Sequence, residues 1–189
     1  MIAVSVYVVI DIVLQLLPPH YSAVSQAESD LAVGPFGWLM SVNFIVRFLA
    51  AIALVVAIGL TGLHTGARTV GTILLTVAGL CSALIAFFPT DIPAAAGVTP
   101  STVHGVIHLI GASTGFVCAL AAFWVLLFWA PARSRAAIVF LAVATLGLVS
   151  LVASIAGLPD VLGLTERICV LGILGWVFVV ARTLRGADA

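Results

Sequence analysis

Charge is what this sequence lacks most. Only 7% of its 189 residues are charged while 63% are hydrophobic, against roughly a quarter charged in soluble globular domains. So little polar material cannot cover a water-facing surface, which excludes an ordinary soluble domain. Lipid removes the difficulty, because it solvates the outside of each helix. Lysine is absent: all seven basic residues are Arg, they form no basic run, and the net charge is zero. Nucleic-acid binding is excluded on that ground. Cysteine is scarce, and Cys81, Cys118 and Cys169 all fall in apolar segments. An odd number placed away from loops reads as small packing residues, not as a disulfide framework or a zinc knuckle. There is no Ser-His-Asp signature, no Gly-rich phosphate loop and no H-E-x-x-H, so hydrolase and phosphotransferase readings lack support.

What is present is a series of apolar stretches punctuated by proline and glycine. A spanning helix needs about 20 apolar residues, and six candidates occur: 1–17, 36–60, 69–88, 101–130, 136–156 and 165–184. Pro18-Pro19, Pro89 and Pro131 stop the first, third and fourth; Gly157 and Pro159 end the fifth, and Thr165 is the expected N-cap of the sixth. The expected fold is all-α, a polytopic membrane protein with six transmembrane helices in one bundle and a single domain over 1–189. The first stretch is read as a retained span and not a cleaved signal peptide. It has no basic n-region, it carries Asp11, and Ser25-Gln26-Ala27 is a poor cleavage site. It is short, and a chain start a few residues inside the natural helix is expected.

Orientation follows from arginine placement. Arg68, Arg133, Arg135, Arg182 and Arg185 all fall at one end of the bundle, whereas the connections 18–35, 89–100 and 157–164 hold no Arg or Lys. The arginine-bearing end is expected in the cytoplasm, with both termini there, in a multi-pass cell-membrane protein. Trp124 and Trp129 are expected at the inner interface and Trp38 at the outer one.

The other charges gather at the arginine-poor end: Asp11, Glu28, Asp30, Arg47, Asp91, Asp160, Glu166 and Arg167, joined by His20, His104 and His108. At about 1.5 Å per residue, Asp11 lies roughly 9 Å inside the outer boundary, Asn43 and His108 roughly 10 Å, and Arg47 roughly 16 Å. Asp11 with Gln15, Asn43 with Arg47 and His104 with His108 are each spaced i, i+4, hence on one helical face. Charged groups in hydrocarbon cost several kcal/mol, and are tolerated when they face the bundle interior and pair. The economical arrangement is a shared, outward-opening polar cavity with Arg47 at its floor. Each pair has a plainer alternative: Arg47 and Asp11 as a register-fixing ion pair, Glu166 and Arg167 as a pin for the sixth helix. The loop from His20 to Asp30 is either a lid over the cavity or a solvated connection. His104 and His108 form half of a metal site, but Asp11, Asp91 and His20 come with no confirming spacing, so no metal or cofactor is expected. Gly111 and Gly115, like Gly172 and Gly175, read as close helix packing.

Four stretches carry a family likeness. They are His20-Tyr21-Ser22 through Ser25-Gln26 and Glu28-Ser29; Phe88-Pro89-Thr90-Asp91; Thr99 with His104-Gly105 and His108; and Gly163 with Glu166-Arg167 ahead of Trp176. In order and spacing the chain resembles the bacterial and archaeal integral membrane family known as DUF998, a domain of unknown function. The resemblance implies a bundle of six or seven helices and supplies no reaction; it marks these outer-side positions as a signature. The family's first helix is usually longer than 1–17.

The function expected is binding of a lipid-like or isoprenoid molecule in that cavity, extended to general acid catalysis on it. Asp91, His104, His108 and Glu28 are the catalytic candidates, with Asp30 or Asp11 as other proton sources. Asp11, Gln15, Asn43, Arg47, Glu166 and Arg167 are the ligand-binding candidates, the two arginines suiting an anionic headgroup. The alternative is a non-catalytic lipid-binding, sensor or accessory protein. A small transporter ranks behind both, since the halves show no inverted repeat and no pair of broken helices. The partner expected is a membrane lipid or hydrophobic small molecule.

Overall fold

The computed structural model describes residues 1–18, 21–62, 64–92 and 99–187, and among these there is no strand. His20 and Asp188 lie outside the described residues. Six α-helices follow in order: α1 (Ile2–Leu16), α2 (Gly37–Leu60), α3 (Gly66–Ile85), α4 (Val103–Leu126), α5 (Arg135–Gly157) and α6 (Leu162–Ala187). Five of them are long and apolar enough to cross a membrane, and α1 is a shorter apolar helix. The chain is thus a multi-pass helical membrane protein.

Local chemistry sets the helix ends. The side chains of Thr65, Thr102 and Ser134 accept from the backbone N–H groups of Arg68, Gly105 and Ala137, capping α3, α4 and α5. Gly62, at φ 69°, takes the left-handed conformation beyond the end of α2. Several ends differ from the sequence expectation, α3 running from Gly66 to Ile85 in place of 69–88, and at two of them the local cause is visible. The helix α6 begins at Leu162, because a 3-10 turn at Pro159–Val161 leads directly into it. Thr165 is therefore inside the first turn, donating to the Leu162 carbonyl at 2.9 Å. The helix α4 stops at Leu126, and a 3-10 turn at Ala130–Ala132 follows. That turn packs against α6 and buries Trp129 at 2% exposure, so only Trp38 and Trp124 stand outward as belt rings.

The helices pack as two blocks. In one, α1 lies on α2, α2 on α3 and α3 on α4; in the other, α5 lies along α6. Between the blocks α2 meets α6 and α4 meets α5, both only sparingly. Half of the most apolar window of α6 is buried, against 28–33% in the other four spans, which makes α6 the central helix. Glycine sets how closely the helices approach. At Gly147 an added methyl would collide with the backbone of Ile168 and Cys169, and at Gly172 with the backbone of Ala144. On the other block, Gly111 and Gly115 face Ile85 and Cys81 of α3. Phe123 and Trp176 stack across the core with ring centroids 3.9 Å apart.

Candidate functional site

The connection between α1 and α2 is folded down onto the head of α6. The Leu164 N–H donates to the Val24 carbonyl at 2.9 Å. Gly163 lies so close beneath the Ala23 and Gln26 carbonyls that no Cβ would fit. Arg167 donates through Nη1 to the carbonyls of Ala23 (3.1 Å), Gln26 (3.4 Å) and Gly163 (3.2 Å), and through Nη2 to the Tyr21 hydroxyl at 2.9 Å. Its guanidinium also stacks over the Tyr21 ring, 5.1 Å from the centroid. Tyr21 in turn donates to the Gln26 and Ala27 carbonyls. The neighbouring Glu166 accepts the Glu28 N–H on Oε2 at 2.6 Å. The sequence pair Glu166-Arg167 is therefore the clasp that holds this loop, in agreement with a lid and not a solvated connection.

Held this way, the short 3-10 helix Glu28–Ala32 inserts Glu28 into the bundle with only 3% exposure. Its Oε1 accepts from the Tyr7 hydroxyl at 2.6 Å. Burial, reinforced by the nearby negative Asp11, pushes the Glu28 carboxyl above the ordinary carboxylate range. Asp30 is pushed up to about 6 by burial. Tyr21 is raised as well, again chiefly by burial.

A small chamber beneath the loop is lined by Glu28, Arg47, His108 and Glu166 together with Tyr7, Phe44 and Phe116. Four of the sequence candidates thus meet, from α2, α4, α6 and the loop. Arg47 donates through Nε to Ser82 at 2.8 Å, and that hydroxyl passes a bond to the Phe44 carbonyl at 2.9 Å. The guanidinium lies 5.4 Å from the Phe44 ring centroid and 6.0 Å from that of Phe116. His108, 3% exposed, has Nδ1 2.7 Å from the Phe88 carbonyl. The chamber opens toward a larger cavity of about 110 Å³ between α4, α5, α6 and the loop, with His108, Glu166, Ala112 and Phe116 common to both. Asp30 and Asp91 stand on its polar side, and Leu109, Leu151, Ile155 and Leu162 form its apolar wall. Below Arg47 a third space of about 50 Å³, lined almost wholly by apolar residues, continues between α2, α3, α4 and α6.

Other candidates serve the frame. Asn43 is fully buried and donates to the Tyr7 carbonyl at 3.1 Å, tying α2 to α1. Asp11 accepts from Gln15 at 2.6 Å, one turn along α1, while Arg47 turns to Ser82, so the two do not form the register pair considered above. Asp91 accepts from the N–H groups of Ser101 and Thr102, each at 2.7 Å, and from the Thr102 hydroxyl at 2.8 Å. The Thr102 hydroxyl and N–H, with help from Ser101, hold its carboxyl below the usual range. It is a brace for the start of α4, and with its carboxylate form favoured it is poorly suited to holding a proton for general acid work. His104 is exposed and meets Phe88 edge-on at 5.5 Å, so the histidine pair is divided between surface and chamber. Among the described residues no three His, Cys, Asp or Glu side chains are grouped to hold a metal ion.

Tyr7 is a participant absent from the sequence candidates, and Tyr21 stood among them only as part of the loop signature. A signal existed for Tyr7, which sits one turn before Asp11 and two before Gln15 on the same stripe. The family model described as "Protein of unknown function (DUF998)" matches residues 1–183. No curated protein and no solved structure matches the chain.

Proposed function

The chain belongs to the DUF998 family, and from the geometry of its own cavities we propose that it binds a lipid-like amphiphile at the arginine-poor end of the bundle. One observation carries this reading. The 110 Å³ cavity brings carboxylates and an imidazole together with an apolar wall of Leu109, Leu151, Ile155 and Leu162, at the place where α4 and α5 touch only sparingly. A water-soluble metabolite has no use for that wall, and a purely apolar molecule has none for Asp30, His108 and Glu166. An amphiphile satisfies both, its chain replacing bilayer contacts along Leu109, Leu151 and Ile155.

Ala112 tests the reading because it borders all three spaces and offers no polar group of its own. Protein purified in mild detergent is expected to retain an amphiphile detectable by native mass spectrometry. Ala112→Trp, which fills the shared volume, should release it while leaving helical content unchanged. Absence of any retained or added amphiphile, or retention unaltered by the tryptophan, would overturn the proposal.

General acid catalysis on the bound molecule is a second reading, favoured by Asp30. Its carboxyl borders the cavity and, with its pKa raised to about 6, holds a fraction of its proton near neutrality. Asp30→Asn should then preserve binding and abolish conversion of the retained molecule.

A further inference from the structure

Among the described residues, two acceptor atoms on the chamber wall have nothing to bond with. Glu28 Oε2 and His108 Nε2 are both buried without a hydrogen-bond partner, on residues that are each only 3% exposed and that line the same chamber. In each case the other polar atom of the group is already engaged, Glu28 Oε1 by Tyr7 and His108 Nδ1 by the Phe88 carbonyl. A carbonyl only accepts, so Nδ1 carries the proton and Nε2 of the neutral ring presents a lone pair. A buried acceptor left empty costs about 1–3 kcal/mol, and the chamber therefore calls for a donor.

Its size and charge narrow the choice. The free volume is about 10 Å³, close to the room one water-sized group requires. A phosphate does not fit such a space. A carboxylate or phosphate would also face Glu28 and Glu166 from the chamber wall, and Asp30 beyond them. Arg47 on the same wall offsets only part of that charge, its Nε being given to Ser82, and Arg167 is engaged by three carbonyls and the Tyr21 hydroxyl. An ammonium group would instead meet Arg47 on the same wall. A single uncharged hydroxyl suits every neighbour. Its proton goes to His108 Nε2 and its oxygen accepts from Arg47, or from Glu28 Oε2 when that carboxyl is protonated.

We infer that the chamber receives the hydroxyl of a long-chain alcohol, with the chain leaving past Ala112 and Phe116 into the adjoining apolar space. The inference rests on the amphiphile reading above and names the class of amphiphile. It replaces the anionic headgroup expected from the two arginines.

The test is a head-group series on one chain: hexadecanol, hexadecylamine and hexadecyl phosphate, each measured by displacement of radiolabelled hexadecanol from the full-length protein in detergent. Hexadecanol is expected to bind about ten-fold tighter than either charged analogue, equivalent to about 1.4 kcal/mol. His108→Phe, which removes the lone pair and keeps the ring, should weaken hexadecanol about five-fold and leave the phosphate unchanged, and His108→Gln should restore part of the loss. Equal or tighter binding of the phosphate or the amine would overturn the hydroxyl assignment and leave amphiphile binding standing. Hexadecanol affinity untouched by His108→Phe would overturn it too, marking the chamber as the seat of a structural water only. If none of the three binds, the amphiphile reading falls with it. Should His108→Phe fail to fold, the wild-type series decides alone.

Discussion

Arg167 shows how one residue can carry a loop. Its four hydrogen bonds and the ring beneath it engage Tyr21, Ala23, Gln26 and Gly163 at once. Arg167→Ala is expected to lower stability by roughly 2–3 kcal/mol, the range for losing bonds from a charged donor, read as a fall in the thermal midpoint in detergent. Proteolysis within 21–36 should accelerate in parallel. Arg167→Lys should recover less than half, because an ammonium cannot reach carbonyls and phenol together. At Asp30 the prediction concerns pH. The fold raises this carboxyl from 3.8 to about 6, so it favours the protonated form. The resulting stability is full below about pH 4 and is lost as pH rises through about 6. Asp30→Asn should flatten the stability profile across that window. Arg47 and His108 were legible from their depth, and Glu166 from the gathering of charge at one end, because a charge in hydrocarbon has few places to go. The partners of Asp91 and Asn43 were not legible, because they depend on the path of a connection and on a helix contact that periodicity does not encode. Tyr7 escaped notice since its ring passes for apolar until the hydroxyl's neighbour is known.

Within the elements, closeness of approach is set by glycine. At Gly147 and Gly172 a methyl would strike the facing backbone, which has no rotamer to yield. Gly147→Ala and Gly172→Ala should each destabilise by roughly 1–3 kcal/mol through overpacking, and the pair should separate α5 from α6. Gly59 in α2 has open space where its Cβ would go. Gly59→Ala should therefore be neutral or slightly stabilising, a control measured in the same thermal assay. Helix existence was legible from apolar runs and prolines because lipid demands both. The ends were less so: Trp129 was expected at the interface, and a 3-10 turn drew it under the bundle instead.

At the scale of the whole molecule, six helices return the chain to the side where it began, and Met1 lies beside Arg182 and Arg185. The arginine bias predicts that this side faces the cytoplasm. With Cys81, Cys118 and Cys169 replaced by Ala, Ser25→Cys should react with an impermeant maleimide added outside intact cells, and Ala130→Cys only after lysis. The reverse pattern would invert the orientation. The division into two blocks has a mechanical consequence. Between α5 and α6, glycine-to-backbone seams leave no slack, whereas the α4–α5 and α2–α6 boundaries are both thin, and the clasped loop lies across the second at one end. On the amphiphile reading proposed above, strain applied by the surrounding bilayer is expected to concentrate along the α4–α5 fissure like the parting of a hinged case, giving a chain dissolved in the membrane a sideways path in without any helix unwinding.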